Sequence, residues 1–517
     1  MVSELEKTLL LSQENVANLT IQLQEQRIQI NELKAMYEAR IEKLLHLQRE
    51  KFGRKSERFV DEDQIPLFDL ESDHVDLDDD DLEDITYKRS KAKPKKKKNL
   101  DDLPQCNVII PIPNEDKVCA CGCEKQFVRY ETKRLLHFIP AVFEVENQKR
   151  EVWACSKGCD QSIVTAPKIP HLLDKCRATE SLLSYICVSK ILDRQPLYHL
   201  EKKIEREHGW CISRQIMARW MILLADKLQP LINLMKDHLL DYDVAAIDAT
   251  TLQVLNEPGR APETKSQAYC IRGGPPQKEV TLYEYNAYKQ KEYVTELFDG
   301  YSGIISADAS SVTSGLSDQV ELSYCHAHAR RKFEAIETAR RSIKKSKRSK
   351  AGLAYTVLKD IYRPLYDIER VATDKGMSPE QRYTLRQNEA KPILDKWKIW
   401  LEEHKPLTLK ESPIRKAISY ALKHWDGLMV YLTDGRIPID NNATERDIKP
   451  FVIARKNFMF SCTPQGADSL AVHFSLIITA KHHGLDPMAY YTQIFKRIPF
   501  CHSISDYEAL LPWNFSD

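Results

Sequence analysis

"DVAAIDATTLQVL", residues 243–255, opens on Asp243 and then carries one charged side chain, Asp248, inside a largely apolar and hydroxylic run. Apolar and β-branched residues at that density read as a buried strand. A carboxylate in the middle of such a strand is costly unless something pairs with it. Working outward, "SQAYCIRG" (266–273) and "KEVTLYEYNAY" (278–288) read as two more strands, joined by a Gly-Gly-Pro-Pro turn. A short helix, "QKEYVTELF" (290–298), leads to "GYSGIISADAS" (300–310), a buried strand ending at Asp308. "VELSYC" (320–325) is a further strand and "HAHARRKFEAIETARR" (326–341) a helix. The order predicts an antiparallel meander of three strands, then a helical crossover that brings the fourth in parallel.

Asp308 shares the difficulty of Asp248, and a divalent cation held between adjacent strands relieves both. Magnesium takes a few carboxylates plus waters, and two such ions about 4 Å apart can clamp an in-line phosphoryl transfer. A third carboxylate from a later helix would complete such a site. In "IDNNATERDIK" (439–449) Asn442 is a natural N-cap, and Glu445 falls three residues on. That is capping-box spacing, so on this stretch alone the helix-cap reading of Glu445 is the simpler one. Asp299 and Asp434 compete as ligands, but "FDGYSG" and "TDGR" read as exposed turns.

A chain of 517 residues with 42% hydrophobic content supports a real core, and its length suggests about two to four domains. No apolar run reaches the length of a membrane span, and the N-terminus lacks the order of a secretory signal. Thirteen cysteines, an odd number and mostly scattered, argue against a disulfide framework. Five are concentrated in "VCACGCEKQF" and "VWACSKGCD". Two cysteine pairs on hairpin-like turns suit a structural Zn2+ ribbon over 106–170, held by four of Cys119, Cys121, Cys123, Cys155 and Cys159. Buried free thiols are the alternative reading.

Residues 1–50 read as a coiled coil. The heptad column Val2, Leu9, Val16, Leu23, Ile30, Tyr37, Leu44 is wholly apolar. Such a seam is buried most simply against a second copy of the chain, giving a homodimer or higher oligomer. Residues 51–105 read as a charged linker: thirteen acidic residues occupy 61–84, and eight basic ones occupy 88–99. Residues 171–240 turn helical. Pro196 opens a second helix, Gly209 closes it and Ser213 caps a third, the signature of a helix-turn-helix. Arg214, Gln215 and Arg219 then face outward, suited to base edges and phosphates of DNA.

The fold class expected is therefore multidomain α+β. A long helical stretch separates the strands from the helix that carries Glu445, and two packing helices lie at the C-terminus. That stretch carries a basic run, "RRSIKKSKRSK" (340–350), able to hold DNA electrostatically. In "CHAHARR", Cys325, His326 and His328 are close enough to suggest a metal. The two histidines point to different helical faces, and contact of His328, Arg330 and Arg331 with DNA phosphate is the preferred reading.

The chain resembles a transposase of the insertion sequence 66 family over nearly its whole length. The resemblance is carried by "FGRKSER", "DRQPLY", "TLQVLNEPGR", "CHAHARRKFEAI", "PIDNNATERDIKPFVIARKNFMF" and "HHGLDP", in that order. It implies a ribonuclease H-like catalytic domain over 241–333 and 436–517, interrupted by a helical insertion over 334–435, with an Asp-Asp-Glu triad falling on Asp248, Asp308 and Glu445, loaded with Mg2+ or Mn2+. With that implication the reading of Glu445 turns toward metal binding, since a carboxylate folded back on its own helix cannot reach an ion. Asn442 would then cap alone, with Asp440 or Asn441 assisting the turn. Arg446, Lys449, Arg455 and Lys456 become candidates for holding the scissile phosphate, though each also fits a solvated basic face. The implied partners are double-stranded DNA, both element termini and target, and small accessory proteins of the same element, in a bacterial cytoplasm. The chain departs from the family where Asp248-Ala249-Thr250 replaces the usual Asp-Glu-Thr, and where "ASSVTSG" follows Asp308. Two other functions use the same residues: a DNA-binding regulator without activity, and a metal-dependent nuclease that cuts without joining.

Overall fold

The computed structural model describes residues 143–153, 164–173, 176–288, 290–309, 316, 320–341 and 352–515. The chain divides into residues 66–148 and a larger unit formed by the remainder; the architecture below is that of the larger unit. The predicted coiled coil, the charged linker, the five ribbon cysteines and most of the basic run at 340–350 lie outside the described residues. Beside the Cys155–Cys159 segment, β1 (Val152–Trp153) and β2 (Val164–Thr165) pair antiparallel.

Three helices follow, α1 (Glu180–Ile191), α2 (Leu197–His208) and α3 (Arg214–Leu240). Their punctuation is that of the sequence reading. Pro196 is the N-cap of α2, Gly209 ends it at φ 66°, and Ser213 Oγ accepts the Ile216 N–H at the start of α3. Arg214, Gln215 and Arg219 are exposed on the first turns of α3. The helix does not stop there. Its apolar positions continue every three or four residues, and Leu224, Leu228, Leu231, Met235 and Leu239 are all buried. The segment 171–240 is thus no free-standing module, because the far two-thirds of α3 is a wall of the main core.

That wall flanks a mixed sheet of β3 (Val244–Gln253), β4 (Lys265–Gly273), β5 (Val280–Asn286), β6 (Ile304–Ala307) and β7 (Glu321–Tyr324). The order is β5-β4-β3-β6-β7. The first three strands form the expected meander, and β6 and β7 join in parallel beyond the helix α4 (Lys291–Leu297). Gly274 makes the β4–β5 turn possible: it has φ 90°, and a Cβ there would lie 2.6 Å from the Lys278 carbonyl oxygen. After β7 comes α5 (His326–Arg341), so the insertion starts later than residue 334.

Helices α6 (Leu353–Val357) through α11 (Trp425–Met429) make up the insertion, with π turns at Leu358–Tyr362 and Arg386–Ala390. Their shared core includes Tyr362, Leu394, Trp397 and Trp425, and α5 contributes Ala329 and Phe333 to it. The insertion is therefore tied to the helix that leaves the sheet. The chain returns as α12 (Asn442–Phe458), α13 (Pro464–His482), α14 (Pro487–Arg497) and α15 (Ile504–Glu508). Helix α13 covers the sheet's outer edge with side chains. The Thr281 N–H donates to Thr479 Oγ1 at 3.1 Å, and the Tyr283 N–H donates to Ser475 Oγ at 2.8 Å. Hydroxyls thereby occupy edge donors that would otherwise invite another strand. His473 of α13 also meets the Met221 carbonyl of α3 at 3.0 Å.

Candidate active site

Asp248 and Asp308 are brought together by strand register. β3 and β6 run parallel with Val244 opposite Ile304, Ala245 opposite Ile305 and Ala246 opposite Ser306. The offset is 60 residues throughout (304 − 244), the same as that between the two aspartates (308 − 248). Asp308 follows directly after the end of β6 at that same offset, close enough for its charge to act on Asp248.

Glu445 arrives on α12, whose first turn is fastened to both neighbours. The Asn441 side-chain amide donates to the Ile247 carbonyl at 2.9 Å, one residue before Asp248. The Asn441 backbone N–H donates to Cys325 Sγ at 3.1 Å, and the His326 N–H donates to the Ile439 carbonyl at 3.1 Å. Two residues beyond Glu445, Asp447 anchors the same helix on the sheet. It pairs with Arg272 of β4 at 2.8 Å and with His482 at 3.1 Å. These clamps fix the approach of Glu445 to the middle of β3, beside Asp248.

The expected cap is corrected by this geometry. Asn441, not Asn442, is the N-cap residue, and its side chain makes no cap hydrogen bond because it is committed to β3. Asp440 instead accepts the Asn442 N–H at 3.1 Å. Glu445 makes no capping box. Its Oε2 takes a 2.5 Å ion pair from Arg331, and its Oε1 lies 3.8 Å from His328 Nδ1.

Electrostatics report the convergence. Burial, then the Glu445 carboxylate and, more weakly, the Asp308 carboxylate push Asp248 up to about 8, against the Ala249 N–H and Arg331 that oppose the rise. A buried carboxyl whose ionisation two neighbouring carboxylates oppose marks a cation-attracting set. Polar atoms near them are also unsatisfied. Asn441 Oδ1, Thr444 Oγ1, Glu445 Oε1 and His328 Nδ1 are buried with no hydrogen-bond partner. All three oxygens are hard acceptors of the kind Mg2+ or Mn2+ takes, so the residues fit such an ion.

The basic candidates divide. Arg331 is held by Glu445, and Arg330 by Glu334 at 3.0 Å with its guanidinium over the Tyr366 ring. Arg455 turns inward from α12 onto Thr250, Thr251 and the Thr251 carbonyl, so it braces β3 instead of reaching outward. Arg446 and Lys456 are exposed, and Lys449 is half-buried. Asp299 is an exposed turn residue, and Asp434 is engaged by Arg436 at 2.7 Å. Sequence reasoning did not single out Asp447 or Arg272, and gave Asn441 only a supporting place. Asp447 had a signal in its spacing from Glu445, but its partner lies 175 residues away.

With the geometry in place, similarity to known proteins decides the family. Residues 175–469 match the family described as "Transposase IS66 family". The chain belongs to the IS66 transposase family. Residues 475–513 of this family member match the "IS66 C-terminal element", and residues 41–108 match "Transposase C of IS166 homeodomain". The latter match spans the end of the predicted coiled coil and the charged linker. The chain is similar to two uncharacterized proteins of Sinorhizobium fredii (strain NBRC 101917 / NGR234). It is 30% identical to y4jD over 80% of each chain, and 30% identical to y4qI over 91% of this chain and 87% of that one. Membership in a transposase family makes DNA the partner. Among the described residues no helix is long and apolar enough to cross a membrane.

Proposed function

We propose that this IS66 family member cuts and joins DNA strands at the ends of an insertion sequence, with Asp248, Asp308 and Glu445 holding divalent cations in a ribonuclease H-like domain. The observation that carries the reading is the raised Asp248 carboxyl, whose causes name Glu445 and Asp308 as its neighbours. The mixed sheet order supports it, with Asp248 on β3 and Asp308 one residue past the end of the adjacent parallel strand β6.

Mg2+ or Mn2+ bound there supplies a polarised phosphate and a nucleophilic oxygen at neutral pH. The rest falls to the chain. Asp248 and Asp308 fix the ion position from the rigid sheet, and Glu445 closes it from α12. Arg331 neutralises Glu445 until the ion arrives, which limits repulsion in the ion-free protein. Exposed Arg446 and Lys456, with Lys449, offer charge to the DNA backbone, and Arg214, Gln215 and Arg219 offer a reading surface on α3. Structural Zn2+ on four of the five ribbon cysteines, dimerisation through residues 1–50 and accessory proteins complete the proposal.

The ion must displace a proton from Asp248, so Mn2+ affinity is expected to rise with pH until about 8 and then level off. The slope is about tenfold per pH unit if one proton is released. Calorimetric titration across that range checks it, and a pH-independent affinity contradicts it. The function itself is tested with DNA carrying the element's ends, supplied intact and pre-nicked, in Mg2+. A joined product from the pre-nicked end supports transposition. Cleavage without joining would make the protein a nuclease, and binding without either would make it a regulator.

A further inference from the structure

One cluster of ligand atoms shares only Glu445 with the three-carboxylate site. Cys325 Sγ, an imidazole nitrogen of His328 and a carboxylate oxygen of Glu445 all lie within 4.8 Å of one another. Cys325 and Glu445 are each 2% exposed. Glu445 Oε1 and His328 Nδ1 point into this space, buried and without hydrogen-bond partners. Arg331 occupies Oε2 alone, leaving Oε1 available.

We propose that Cys325, His328 and Glu445 form a second cation site, suited to a thiophilic ion of the Zn2+ class, which shares Glu445 with the Mg2+ site. The backbone is already set for it. Cys325 immediately precedes α5, and the His328 N–H donates to the Cys325 carbonyl at 3.2 Å, curling sulfur and imidazole onto one side of the first turn. Sulfur, imidazole nitrogen and carboxylate oxygen are each ligand types that zinc takes, and three protein ligands leave a fourth tetrahedral position open. At zinc bond lengths the ligand atoms stand about 3.5 Å apart, so the cluster closes by about 1 Å, within the reach of side-chain rotation. A thiolate selects a softer ion over Mg2+. Burial and the Asp440 and Glu445 carboxylates push the Cys325 thiol up to about 12 against the Asn441 N–H on its sulfur, so the ion itself must displace the thiol proton. Binding changes no oxidation state: the thiol proton leaves to solvent, and a metal–sulfur bond forms.

Occupancy of this site stands on its own geometry, whereas its effect on the reaction rests on the proposed triad. An ion held by Oε1 would draw Glu445 toward α5 and away from Asp248, so Zn2+ would inhibit Mg2+-supported strand cleavage.

The test is titration of the full chain with Co2+ alone, following thiolate-to-cobalt absorption in the near ultraviolet. Ribbon cysteines contribute to the same signal, so the readout is the difference between variants. Cys325→Ser and His328→Ala are each expected to bind one equivalent fewer than the wild type, and Asp248→Asn to bind the same number. A full wild-type count in either folded variant overturns the site. His328 is at a partly exposed position, so His328→Ala carries the test should Cys325→Ser fail to fold. Asp248→Asn keeps the two readings apart. It tests the triad through cleavage and leaves the cobalt count untouched, so either reading can fail alone.

Discussion

Asp248→Asn is expected to lower Mg2+-dependent strand cleavage at least about a thousandfold while making the ion-free protein more stable at pH 8. Asparagine keeps the size and one acceptor oxygen of the side chain, so β3 and its ladder to β4 are retained. What it loses is the charge that holds the cation between β3 and β6. The stability half follows from the proton. The folded carboxyl titrates near 8, against about 3.9 in an unfolded chain. The folded state therefore binds this proton more tightly, and its contribution is complete below pH of about 4. It declines as pH rises and is gone above the folded value. Asparagine never incurs that loss. Ion-free thermal melts should thus coincide for wild type and variant at low pH and diverge in the variant's favour by pH 8. Added Mn2+ should raise the wild-type melt and leave the variant's unchanged. Equal melts at pH 8 together with retained cleavage would remove Asp248 from the site.

The largest structural effect is expected at Arg386. This side chain is fully buried, at 0% exposure, on the π turn between α8 (Pro379–Leu385) and α9 (Lys391–Leu407). Its fork meets Glu369 twice, at 2.7 and 2.8 Å, and its remaining nitrogen donates to the Tyr431 and Asp434 carbonyls at 2.6 and 2.9 Å. Arg386→Ala leaves a buried carboxylate with Arg382 as its remaining cation, removes the guanidinium donor from the Tyr431 and Asp434 carbonyls, the latter keeping the Ile437 N–H, and opens a cavity. Breaking a buried pair in this way costs about 3–5 kcal/mol. Arg386→Lys keeps the charge but cannot form the fork, and should fall between. The loss reaches the site because Tyr431 and Asp434 lead directly into the Ile439–Asn441 segment that seats α12. Denaturant unfolding of the two variants measures it, and an unchanged midpoint for Arg386→Ala would refute the account of this network.

Much of this was legible in the sequence because it is local. Strand periods, the Gly-Gly-Pro-Pro turn and the caps at Pro196, Gly209 and Ser213 are decided by residues a few positions apart, and each stands where it was read. The order of antiparallel meander and parallel crossover follows from connection lengths. The pairing of Asp248 with Asp308 was inferable only as two costly carboxylates; the register that aligns them belongs to the folded sheet. What the sequence hid is long-range. Nothing near Asn441 announces that its amide is spent on Ile247, so the cap was placed one residue late. Arg455 looked like a free basic residue until Thr250 and Thr251 were seen beneath it. The long apolar stripe of α3 was readable past Arg219, yet the partner that buries it, α13, begins more than two hundred residues later.

The most direct test of the central claim is anomalous diffraction from crystals of the protein grown with Mn2+. The account predicts a manganese peak at ligand distance, about 2.0–2.2 Å, from carboxylate oxygens of both Asp248 and Asp308, with Glu445 turned toward it from α12. A well-occupied manganese bound elsewhere, with these three carboxylates bare and Glu445 still paired to Arg331, would contradict it.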